Sequence, residues 1–247
     1  MADPFDTPLT PYVDGAIWLA RYPMRFGGID YYARMTVVRL ADGRLWIHSP
    51  APVDGPMGRR RVEELRALGE VAYLVAPGNF HHLHVEPWRR AFPGAEVYAC
   101  PGVERKQPRL AIDWFLGDRA PPVWADELDQ VLIRGNRVIW EVAFLHRASG
   151  TLILTDVLEN IRRDEPGLGR ALRWLWMGVF RLWREPMPAP EYKIGWSDRP
   201  AAARSLERIL AWRFSRVVIA HGDTIEADAE AVLRRAWASV LRRGAQG

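Results

Sequence analysis

The stretch "GNFHHLHVEPW", Gly78 to Trp88, carries His81, His82 and His84, three of the chain's six histidines. Neutral imidazole is the commonest metal ligand in proteins, and three or four imidazoles with one carboxylate suit zinc, iron or manganese. The other histidines close apolar runs: His48 ends "LWIH", His146 ends "EVAFLH" and His221 follows "RVVIA". Asp156, at the end of "TLILTD", supplies the carboxylate. Singly, each has a plainer reading: a hydrogen-bonded core residue for His48, a solvated loop for the three neighbours, a turn or helix cap for Asp156. Their joint placement favours a metal, because loops at strand ends on one sheet edge converge on a rigid scaffold.

The elements that must position these residues are legible from periodicity. "GAIWLARYP", "ARMTVVRL" and "GRLWIHSP" read as a meander of strands, with "ADG" supplying turn chemistry before the last. "MGRRRVEELRALGE" has apolar positions at helical spacing and stops at Gly69. Val71–Ala76 follows as a strand, then the histidine loop, a short helix and a strand over Glu96–Ala99. "DQVLIRGNRVIWEVAFLH" reads as two apolar runs about a tight "RGN" turn, and "GTLILTD" as a further strand. Helices are expected at about 169–184 and 200–214, separated by a Pro-rich loop, then the strand "RVVIAHGD" and a C-terminal helix from Ile225. Strand meanders followed by alternating strands and helices predict an α/β protein of stacked sheets covered by helices.

Composition bounds the rest. A chain of 247 residues, 49% hydrophobic, can bury a sizeable core, and one domain over residues 1–247 is expected. The 34 basic residues are interspersed with 30 acidic ones, so the net charge of +4 points to no polyanionic partner, and nucleic-acid binding is not expected. A single cysteine, Cys100, excludes an intrachain disulfide and fits a reducing compartment as a small buried residue near a strand end. With no secretory leader and no apolar run of membrane-spanning length visible, a cytoplasmic protein is expected.

The order strand, "NFHHLH" loop, helix, strand, then "LHRASGTLILTD", then "IAHGD" resembles the metallo-β-lactamase superfamily from about residue 14 to 240. More narrowly, "VAPGNFHHLHVEPWRRAFPGAEVYACPG" and "EVAFLHRASGTLILTD" resemble a branch of it known as a domain of unknown function. The resemblance implies a four-layer αββα sandwich of two mixed sheets, with metal ligands at one edge. Those ligands come from an H-x-H-x-D-H loop, a later histidine, a bridging aspartate and a terminal histidine.

This chain departs from that loop in every register. In one, "PGNFHH" replaces it, so that Pro77 and Asn79 stand for the first two histidines, His81 for the aspartate and His82 for the last histidine. In a second, "NFHHLH" puts Asn79 first, keeps His81 and His84 and puts Leu83 at the aspartate. A third, "HLHVEP", keeps His82 and His84, with Glu86 at the aspartate and Pro87 last. Loop length favours the first. The family likeness then implies one high-affinity metal on His81, His82, Asp156 and His221, zinc before iron or manganese, with a second held weakly, if at all, through Asn79 and His146.

The expected activity is metal-assisted hydrolysis of a small ester- or lactone-like substrate by activated water, with Asp156 and His146 as the catalytic pair. Two alternatives stay open: an inactive binding or scaffold protein, and an iron-dependent redox protein. His48, Tyr192, Lys193 and Trp196 are candidates for the substrate pocket. The Trp- and Arg-rich segment 166–196, with Arg170, Arg173, Arg181 and Arg184, reads as a lid, a homodimer face or buried packing, with membrane-surface contact less favoured.

Overall fold

The computed structural model describes residues 6–26, 29–161 and 185–244. Its residues gather into two compact units: Met1–Met24 with Tyr32–Leu116, and Arg25–Tyr31 with Gly117–Gly247.

The first unit is built on a mixed seven-stranded sheet in sequential order: β1 (Thr10–Val13), β2 (Ile17–Phe26), β3 (Ile29–Arg39), β4 (Leu45–His48), β5 (Val71–Ala76), β6 (Glu96–Ala99) and β7 (Trp114–Phe115). β3 and β4 pair antiparallel, whereas β4, β5, β6 and β7 run parallel. Parallel strands need crossovers and covered faces. Accordingly "VAYLVA" of β5 is buried at every position, and α1 (Gly55–Leu68) and α2 (Val85–Ala91) provide the two crossovers flanking it. Pro56 opens α1 and the Gly69 amide caps it on the Leu65 carbonyl at 3.0 Å. α2 buries Val85 and Trp88, and the Trp88 indole donates to the Ala51 carbonyl at 2.5 Å. The short α3 (Val103–Lys106) follows β6, with Cys100 fully buried one residue past that strand.

The second unit carries a four-stranded mixed sheet in the order β11 (Arg216–Ile219), β10 (Thr151–Leu154), β9 (Glu141–His146), β8 (Leu128–Ile133). β9 runs antiparallel to both β8 and β10, and β10 parallel to β11. Two helices, α5 (Arg199–Leu210) and α6 (Ala229–Gly244), pack on each other, and α5 also packs on β8. Asp198 caps α5, accepting from the Ala201 amide at 2.9 Å. Trp124, Phe144, Tyr192 and Trp237 are the large buried side chains here.

The α/β class and the two mixed sheets with flanking helices are those expected. β5 and β6 have the expected bounds, while β1 is an addition: "TPYV" is half exposed and contains Pro11, so it carries no strand periodicity. The run after "RGN" is a correction. Asn136 Oδ1 accepts from the amides of Val138 and Ile139, at 2.9 and 3.0 Å, which withholds them from a ladder until β9 starts at Glu141. α5 ends at Leu210 rather than near 214, and α6 starts at Ala229 rather than Ile225, because Ile225 is bridged to Val217. The Pro-rich loop contains one turn of helix, α4 (Pro190–Gly195). The expected helix at 169–184 lies outside the described residues, and with it most of segment 166–196. Among the described residues, no helix is long and apolar enough to cross a membrane.

Candidate metal centre

His48 and His146 end β4 and β9 and His221 lies two residues past β11, while His81, His82 and His84 lie five to eight residues past β5 in the loop that leads into α2. In the first unit, His48 is the last residue of β4, fully buried, with its ring stacked on Trp46 at 5.4 Å. Burial, aided by His81, lowers its pKa to about 3, so the ring is neutral at physiological pH. Ser49 follows in the left-handed region at φ 51°, a conformation that costs a non-glycine residue about 1–2 kcal/mol. The strain has a visible product: Ser49 Oγ lies 2.8 Å from His81 Nδ1.

The loop after β5 turns on the His81 amide, which donates to the Gly78 carbonyl at 3.0 Å. It buries Asn79, His81 and His82 while leaving Leu83 57% exposed. Burial, reinforced by Lys106 and then His81, lowers His82 to about 4. His82 Nδ1 is buried with no hydrogen-bond partner among the described residues. His84, also lowered by burial, stands edge-on to Tyr22 at 5.7 Å. Ser49, His81, His82 and His84 share a pocket of about 40 Å³ with Tyr22 and Phe80 among its apolar walls. His82, neutral and with Nδ1 unpartnered among the described residues, is in the form a metal needs. Glu86 is directed elsewhere, pairing with Arg90 at 2.8 Å along α2.

In the second unit, His146 ends β9 with Nδ1 2.7 Å from Ser149 Oγ, which is 2.7 Å from Thr151 Oγ1. Burial lowers His146 as well. Asp156 and His221 come together, with Nε2 3.4 Å from Oδ1 and both side chains buried. The His221 ring meets Tyr31 edge-on at 5.1 Å. Gly222, at φ 91°, makes the turn beyond His221 possible, since a Cβ there would lie 2.1 Å from the Asn160 carbonyl oxygen.

Two carboxylates that sequence reasoning passed over lie in the same unit. Glu141 is fully buried at the start of β9, and burial with Asp156 beside it raises its pKa to about 7. Glu159 is raised to about 8 by burial, with His221 opposing and Asp156 adding. Tyr192 and Trp196 are buried against one another, ring centroids 4.9 Å apart, and Asn136 donates to the Tyr192 carbonyl at 2.9 Å. Lys193 is lowered by burial, with Glu159 opposing, and its ammonium reaches Met187 Sδ at 2.9 Å.

Residues 15–173 match a family model described as a domain of unknown function, DUF4336. No curated protein matches the sequence. Among solved structures, VMB-1 is similar with a TM-score of 0.68 at 9% identity, covering 98% of this chain and 99% of that one. The DIM-1 metallo-β-lactamase gives 0.64 at 16% identity, covering 96% and 99%. The FIM-1 metallo-β-lactamase from Pseudomonas aeruginosa, in its mono-zinc form, gives 0.63 at 10% identity, covering 99% and 98%. Identities this low establish the fold and not the activity. The family match over residues 15–173 shows that the chain belongs to the DUF4336 family, and the solved structures show that it has the metallo-β-lactamase fold.

Proposed function

We propose that this chain is a metal-dependent hydrolase of a small ester- or lactone-like substrate, with one tightly held divalent metal, zinc before iron or manganese. The proposed ligands, His81, His82, Asp156 and His221, are the set that the family likeness implies, and all four side chains are buried. The observation that carries the reading is the buried Asp156–His221 pair, accompanied in its unit by Glu141 and Glu159. Three carboxylates buried near one imidazole make a dry site with more acidic than basic groups. Such a site is stable only with protons or a cation. The donor set, imidazole nitrogen and carboxylate oxygen, fits zinc.

Side-chain direction supports the register in which His81 stands at the motif aspartate and His82 at the last histidine. Leu83 points to solvent and Glu86 is paired with Arg90, so the two registers that would use them as ligand substitutes lose support. A bound metal would polarise a substrate carbonyl and make water a competent nucleophile near neutral pH. His146, neutral and hydrogen-bonded through Nδ1, keeps Nε2 for a proton or as an added ligand. The apolar walls around the loop histidines suit an acyl or alkyl group better than a polyanion.

The test is hydrolysis of a panel of aryl esters and lactones by zinc-loaded protein beside His221→Ala. Turnover that vanishes in the variant supports the reading. Turnover that survives contradicts it. A protein that hydrolyses nothing yet binds zinc would be a binding protein on the same fold.

A further inference from the structure

We propose that Glu141 is a positioning residue for Asp156, an inference that rests on the metal reading above. Glu141 Oε1 accepts from the Thr155 amide at 2.6 Å, and Oε2 accepts from the amides of Asp156 and Val157, each at 2.9 Å. Three consecutive N–H groups converging on one anion form a nest, an arrangement that elsewhere captures free anions. Here the anion is part of the chain, fully buried at the first position of β9, 15 residues from Asp156 in sequence.

The carbonyl side of the same segment is held too. The Ala189 amide donates to the Asp156 carbonyl at 2.9 Å, and the Trp237 indole donates to the Val157 carbonyl at 2.9 Å. Asp156 is therefore fixed through both its amide and its carbonyl. A buried carboxylate is a costly device for a turn that Ser or Asn would close. Its expense is intelligible if the residue at the centre must point in one direction.

The experiment measures zinc affinity by competition with a chromogenic chelator, in metal-free wild type, Glu141→Gln, Asp156→Ala and the double variant. Glutamine keeps the shape, but its NH₂ group faces N–H donors, so part of the nest is lost. The expected loss is about 10–100-fold for Glu141→Gln, the range seen when support of a ligand is removed. Because Glu141 acts through Asp156, the double variant should bind zinc no more weakly than Asp156→Ala alone. Wild-type affinity in Glu141→Gln overturns the proposal. So does an additive loss in the double variant, which would mark a general weakening of the fold. Unchanged affinity in Asp156→Ala would end the metal reading itself, and this inference with it. Should Glu141→Gln not fold, amide exchange of the wild type decides. The amides of Thr155, Asp156 and Val157 should be as protected as those of β9, and loop-like exchange would overturn the assignment.

Discussion

An imidazole offers two nitrogens, and the neighbour of one decides the use of the other. His81 and His146 share one arrangement, in which a serine hydroxyl lies within hydrogen-bond distance of Nδ1 and a metal would have to bind through Nε2. For His81 that serine is Ser49, held at φ 51° in a conformation with its own cost. Strain of this kind persists where the surrounding structure over-determines it, and often at functional sites. Ser49→Ala should therefore fold, since no buried charge is stranded, but bind zinc about 10–100-fold more weakly. Isothermal titration of the metal-free variant checks it. Equal affinity would show that the hydroxyl does not orient the ring.

At the scale of elements, the strands deliver the chemistry and the turns aim it. β10 leads into Asp156 and β11 into His221, and their parallel pairing sends both C-termini the same way. The turn after His221 depends on Gly222, where the Asn160 amide also donates to the His221 carbonyl at 3.1 Å. Gly222→Ala forces a side chain into the left-handed region and against the Asn160 carbonyl. It should destabilise by more than about 1–2 kcal/mol and weaken zinc binding with it. Urea denaturation with and without zinc measures both, and a variant as stable as wild type would refute the argument. Strands β4, β9, β10 and β11 were legible because their apolar runs are short and lead into histidine or aspartate. Ser49 and Glu141 were not. Serine after a strand reads as any turn residue, and glutamate opening "EVAFLH" reads as a solvated strand end. The role of Glu141 depends on amides 14 to 16 residues away, which no local pattern reveals.

For the molecule as a whole, charge buried near the site makes stability depend on pH. Glu141 and Glu159 hold protons to about 7 and about 8, which the unfolded chain would release near the ordinary carboxylate range. The folded state then binds more protons than the unfolded, so stability falls as pH rises through that window. His48 and His82 act in the opposite sense at lower pH. Their folded values of about 3 and about 4 lie below the unfolded one, so their contribution is lost as pH falls from about 6.5. Above about pH 6.5 the carboxylates act alone. Metal-free protein should lose melting temperature between about pH 6.5 and about pH 8. Zinc should raise it most at the alkaline end, where it competes with fewer protons. A flat profile without metal would contradict the assigned burial of charge.

The fold was readable because periodicity and strand-end residues recur along the chain, and the ligand types because imidazole is scarce and concentrated. What the sequence left open was side-chain direction: Leu83 outward, His82 inward and Glu86 tied to Arg90 follow from how the loop turns, not from composition. The measurement that bears most directly on the central claim is elemental analysis of protein purified without chelator or histidine tag, expressed as metal per chain. One zinc, iron or manganese per chain, lost in His221→Ala, is the predicted result. No metal after reloading, with a melting temperature that added zinc leaves unchanged, would contradict it.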